Sequence, residues 1–130
     1  FYVPTIDHNR YYVDHHDEFS YGPEVVARLN DYISRNLETA RRAFKANVRF
    51  AMGSDAVFTG FGENARELTW FVKAGMTPEQ ALTAATVNGA ELLGYQSTLG
   101  SIAPDYFADI VAVDGDPLKD IEAATRKFDG

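Results

Sequence analysis

The sequence predicts an α/β fold, and three observations carry that reading. Apolar, β-rich segments at residues 1–6 and 48–52 flank a long amphipathic stretch that opens at Pro23. Strand, helix, strand is the βαβ unit, whose crossover is right-handed in nearly all known cases and whose two strands are therefore parallel. The second apolar segment stops at Gly53-Ser54-Asp55, which sets a carboxylate just past a strand's carboxyl end, where α/β folds do their chemistry.

Each element follows from its own pattern. Residues 1–6 form the first strand, and residues 7–22 a polar, aromatic loop carrying all three histidines. A loop of that length usually has a job. Pro23 takes the favoured first position of a helix, and Val26, Leu29, Ile33, Leu37, Ala40 and Phe44 recur at steps of three and four residues, so one stripe faces a core. Asn47 suits the left-handed residue at the helix end, and residues 48–52 return as a buried strand. Beyond the loop at residues 56–63, Ala65, Leu68, Phe71 and Val72 line a second helix that Gly75 stops. Thr77 and Gln80 make a capping box around Pro78 for a third helix. Asn88 and Gly89 are expected to break it, leaving a last short turn from residue 90 that ends at Gly94. The tail changes character: residues 97–107 are turn-rich, residues 108–113 read as a strand, and Asp114-Gly115 is a tight-turn signal.

Composition bounds the function classes. A chain of 130 residues with 45% hydrophobic and 13% aromatic content is long and apolar enough for one domain with a core. Its net charge of -7 argues against nucleic acid or an anionic membrane as partner, since both call for clustered Lys and Arg. With no cysteine there is neither a disulfide framework nor a thiolate metal site. No stretch approaches a transmembrane span and no signal peptide precedes the first strand, so the localisation is left open.

Gly53-Ser54-Asp55-Ala56, Asn64-Ala65-Arg66-Glu67-Leu68, Met76-Thr77-Pro78-Glu79-Gln80 and the tail motif Ala103-Pro104-Asp105-Tyr106-Phe107-Ala108-Asp109 stand in an order and spacing that resembles the C-terminal part of the amidohydrolase superfamily. Its Xaa-Pro dipeptidase and imidazolonepropionase-like members are the best match, over nearly the whole chain from Val3. The resemblance implies a partial (β/α)8 TIM barrel, its last two β/α units, with C-terminal helices and a fragment of the small β-sandwich domain. Residues 1–95 would be the barrel portion and residues 96–130 the sandwich tail. Two parallel strands with open edges are too few for an independent sheet, so the missing N-terminal part of the enzyme, or further copies of the chain in a homo-oligomer, would have to cover them.

The resemblance also implies a divalent metal, zinc in the first instance, held in the family by a His-x-His pair, a lysine or glutamate, two later histidines and an aspartate. Only the aspartate has a counterpart here, Asp55, which would contact the metal and take a proton from the attacking water. The plain alternative is a turn or helix-cap aspartate. His8, His15 and His16 lie near Asp7, Asp14 and Asp17, and imidazole with carboxylate suits zinc or a general base near neutral pH; the alternative is a solvated loop. Tyr11 and Tyr12 follow the first strand, where related dipeptidases place a tyrosine near the substrate. Phe61 stands where relatives often carry a histidine near the substrate's carboxylate end, which removes a polar contact. The candidates are thus Asp55, His15 and His16 for catalysis, Tyr11, Tyr12 and Phe61 for substrate binding, and Asp55 with His8 for metal.

Three functions are compatible with these residues. The first is a metal-dependent hydrolase that cleaves an amide or peptide bond in a small, dipeptide-like substrate by activated water. The second is a truncated, self-associating chain with promiscuous, metal-independent esterase or phosphotriesterase activity. The third is a non-catalytic fragment that completes a barrel.

Overall fold

The computed structural model describes residues 1–56 and 61–126. Residues 1–3 and 49–51 run parallel, as the strand–helix–strand reading requires: the Tyr2 N–H donates to the Arg49 carbonyl at 2.8 Å and the Ala51 N–H to the Tyr2 carbonyl at 3.2 Å. The pairing is one bridge long, not two full strands. The next rung of a parallel ladder would use the N–H of residue 4, and Pro4 has none. Past the bridge the Met52 N–H turns away to the Ala84 carbonyl at 3.2 Å.

The first half of the expected loop is a helix, α1 (Ile6–Asp14). Asp7 in its first turn complements the helix dipole, and Arg10 pairs with both Asp7 and Asp14 at helical spacing. Ile6 and Val13, seven residues apart, face the core. Residues 15–21 then turn tightly, and α2 (Pro23–Lys45) follows with Pro23 at its start. Its whole expected stripe lies inward, with Ile33 and Ala40 buried, and Asn47 takes the left-handed conformation at φ 57°.

After the bridge, a single 3₁₀ turn at Asn64–Arg66 leads into α3 (Glu67–Lys73), and Gly75 at φ 113° ends it as expected. The capping box of α4 (Pro78–Ala85) is present in both directions between Thr77 and Gln80. The break falls at Thr86 rather than at Asn88 and Gly89, which lie inside α5 (Val87–Leu92). Asn88 is kept helical by a tertiary bond, its side-chain amide donating to the Phe50 carbonyl at 2.8 Å.

Phe50, Leu68, Trp70, Phe71, Met76 and Ala81 form the centre of the core, with Ile33 and Ala40 of α2 on one side and Ile6 of α1 on another. Phe50 meets Phe71 edge to face at 5.7 Å between ring centroids, a favoured aromatic geometry. The tail closes onto this core through a 3₁₀ turn at Ile121–Ala124, where Ile121 and Ala123 are buried against α3. Residues 108–113 carry no regular secondary structure, residues 108–112 are exposed, and the stretch pairs with no strand among the described residues, so the expected tail strand is absent. A strand needs a neighbour for its amides, and this stretch has none here. Among the described residues no helix is long and apolar enough to cross a membrane.

Candidate functional site

Asp55 sits where the bridged segment at residues 49–51 leaves the core. Its backbone is left-handed at φ 52°, a conformation that aspartate tolerates better than most residues and that often marks a functional turn. The turn is anchored one residue earlier. Ser54 Oγ accepts the side-chain amide of Asn64 at 2.8 Å, which ties the turn to the entrance of α3. Gly53 permits the approach, because a Cβ there would stand 2.7 Å from Val3 Cγ1.

The side chain that faces Asp55 comes from α1. His8 Nε2 lies 3.9 Å from Asp55 Oδ2, with the imidazole mostly covered at 20% exposure and the carboxylate half-open at 54%. That gap is too long for a direct hydrogen bond. Beside the pair is a shallow depression lined by Asp7, His8, Tyr11, Ser54 and Asn64. Asp7 is fully engaged there: its Oδ1 accepts the Trp70 indole N–H at 2.9 Å and the Arg10 Nε–H at 3.0 Å, while Arg66 Nε stands 3.4 Å from Oδ2.

The structure thus brings together two of the expected site residues, His8 and Asp55, and sets Tyr11 against the same depression. His15 does not line it; its ring stacks on Tyr11 at 4.0 Å between centroids and its Nδ1 lies 2.9 Å from the Tyr11 carbonyl oxygen. His16 points to Asp17 at 3.1 Å on the exposed turn. Tyr12 packs edge-on to His8 and to Phe19. Phe61 is 68% exposed; it follows residues 57–60 in sequence, which lie outside the described residues.

In the sequence Glu67 stands out only as part of the motif Asn64-Ala65-Arg66-Glu67-Leu68. The structure gives it a larger part: it is wholly buried, and its carboxyl accepts the backbone N–H groups of Ile6 and Asp7 at 3.0 and 2.9 Å. Burial pushes its pKa up to about 8, against the two amide bonds, which favour the ionised form. The only trace in the sequence is an acidic residue at a core-facing position, between Asn64-Ala65-Arg66 and Leu68.

A divalent ion needs three or more protein ligands here, at about 2 Å for nitrogen and oxygen donors. Among the described residues no group of three or more His, Asp or Glu converges in this way. His8 and Asp55 supply two donors, so these residues do not make up a metal site by themselves.

Known proteins resemble the chain in sequence and in fold. Ochratoxinase of Aspergillus niger is 37% identical over 101 residues, which is 76% of this chain and 21% of that protein. Imidazolonepropionase of Flavobacterium psychrophilum is 32% identical over 92 residues, 68% of this chain and 22% of that protein. A solved Xaa-Pro dipeptidase with methionine bound in its active site superposes with a TM-score of 0.80 at 32% identity, covering 94% of this chain and 30% of its own. A prolidase complexed with N-methylphosphonate-L-proline superposes at 0.82 and 30% identity, covering 97% and 31%. The chain therefore spans about a fifth of the length of the curated relatives it matches. The family resemblance drawn from Gly53-Ser54-Asp55 and the motifs after it is confirmed by the Amidohydrolase family description, which matches residues 5–129, and the chain belongs to the amidohydrolase family.

Proposed function

We propose that the chain carries part of the site of a hydrolase that cleaves an amide or peptide bond in a small, dipeptide-like molecule by attack of water. One observation carries this reading: His8 and Asp55, from segments 47 residues apart, face each other across 3.9 Å beside an open depression. Asp55 is the base that takes the proton of the attacking water, and His8 shares the hydrogen bonds of that water. Tyr11, on the depression wall, is assigned to substrate contact together with Tyr12 and Phe61, which do not line it; His15 braces Tyr11. The family works generally with divalent metals. A divalent ion beside His8 and Asp55 would take its remaining ligands from outside the described residues. In this reading residues 1–95 belong to a barrel and residues 96–130 to a sandwich tail.

The test is hydrolysis of a panel of dipeptides and N-acyl amino acids by the wild-type chain and by Asp55→Asn, each checked for folding by circular dichroism. A base in this role contributes about 10²- to 10⁴-fold, so a folded Asp55→Asn should lose at least the lower figure. Equal rates in the two proteins sink the reading.

A second reading is favoured by exposed apolar groups. Ile102, Phe107, Ile110 and Val111 stand open to solvent, and among the described residues no further strand lies beside the bridge at Tyr2 and Phe50. Self-association that buries these groups would give a homo-oligomer with hydrolase activity towards activated esters. Light scattering after size exclusion tests it, and a monodisperse monomer excludes it.

A further inference from the structure

Glu67 takes no part in the hydrolytic reading above, yet among the described residues it is the one charged side chain in the core. Both of its oxygens are used. Oε1 accepts the Ile6 N–H at 3.0 Å and Oε2 accepts the Asp7 N–H at 2.9 Å. These are the first two amides of α1, which no intrahelical carbonyl can satisfy. Thr5, at the N-cap, makes no side-chain cap bond, so the cap of α1 is supplied from α3, some sixty residues along the chain.

A local Ser or Asp cap would stabilise α1 equally well but leave it free to shift against its neighbours. A carboxyl rooted at the first residue of α3 sets where α1 begins and where it stands. The same entrance to α3 holds the Asp55 turn, through Asn64 and Ser54. Trp70 of α3 repeats the link by donating to the Asp7 carboxylate. His8 is the next residue along α1, so its 3.9 Å approach to Asp55 is fixed by two side chains that touch neither reacting group.

We infer that Glu67 is a positioning residue, which by gripping the amides of Ile6 and Asp7 holds His8 opposite Asp55. The inference rests on the reading of His8 and Asp55 as the reacting pair. Glu67→Gln keeps the shape and one acceptor oxygen but turns an NH₂ towards a backbone N–H, which displaces the start of α1.

The experiment compares the whole chain with its Glu67→Gln variant in dipeptide hydrolysis and in ¹⁵N NMR of the His8 ring. The expected result is a fall in kcat of about tenfold or more with KM little changed, because small misplacements of reacting groups are costly. The His8 resonances should shift, and adding Glu67→Gln to Asp55→Asn should slow the reaction no further. A folded Glu67→Gln with a lower Tm but unchanged kcat and unchanged His8 resonances overturns the inference. Should the wild type turn over no substrate, the hydrolytic reading fails on its own and the His8 resonances alone decide the positioning. If Glu67→Gln does not fold, hydrogen exchange in the wild type decides instead: protection of the Ile6 and Asp7 amides to the level of core amides supports the grip, and exchange as fast as in exposed loops overturns it.

Discussion

His8 and Asp55 face each other at 3.9 Å although each is held by a different part of the fold, His8 by the start of α1 and Asp55 by a left-handed turn after the paired segment. If one water bridges them, the two groups act as a unit and their losses do not add. Asp55→Asn and His8→Ala should each slow hydrolysis, and the double variant should be no slower than Asp55→Asn alone. Steady-state rates of the three variants, analysed as a double-mutant cycle, check this; fully multiplicative losses would mean that the two groups work separately.

Gly53 is required by space rather than by dihedral freedom. A Cβ at this position meets Val3 Cγ1 at 2.7 Å, closer than real contacts allow, so Gly53→Ala forces the Val3 side chain to turn or the first segment to move off the Asp55 turn. Overpacking of this kind destabilises by about 1–3 kcal/mol. Urea denaturation should show that loss, and hydrolysis should fall by more than stability alone explains, since the displaced residue is two positions from Asp55. Pairing the change with Val3→Ala should restore both.

Much of the helical frame was legible because its signals are local. The stripe from Val26 to Phe44, the glycine stop at Gly75 and the Thr77–Gln80 capping box each depend on neighbours a few residues away, and each is found where the pattern puts it. What was not legible depends on distant partners. The helix at Ile6–Asp14 reads as a loop, because its cap is a glutamate of α3 and not a residue beside it. The strands shrink to one bridge because Pro4 removes the next donor, a fact that acquires meaning only once the register is known. In the site, Gly53-Ser54-Asp55 marked the position of Asp55, whereas the choice of His8 over His15 and His16 as its neighbour needed the pitch of α1.

Phe71 should be the most sensitive core position. It is fully buried and meets Phe50 edge to face, which joins α3 to the paired segment that leads to Asp55. Phe71→Ala removes a large side chain that the surroundings cannot refill and should cost about 3–5 kcal/mol. Thermal melting checks it. A loss under about 1 kcal/mol would mean that the core collapses around the gap, which well-packed interiors seldom do.

Glu67 gives stability an unusual dependence on pH. Burial lifts its pKa from 4.5 in the unfolded chain to about 8 in the folded one, helped by the nearby Asp7 carboxylate; the amides of Ile6 and Asp7 pull the other way. Arg10 and Arg66 lie beyond Asp7 and neutralise part of its charge, and Tyr2 is raised in turn, first by its own burial and then by Glu67. Between pH 4.5 and about 8 the folded chain therefore holds a proton that the unfolded chain has released. By linkage, stability falls as pH rises through that window, the reverse of the usual carboxylate, with a slope of at most about 1.4 kcal/mol per pH unit from this one group. Glu67→Gln has no such proton to lose. Urea denaturation of both proteins from pH 5 to 9 should show the wild type losing ground steadily to the variant up to about pH 8, after which the difference levels off. A difference that stays constant across the range would mean that the two amide bonds outweigh burial and keep Glu67 ionised in the fold.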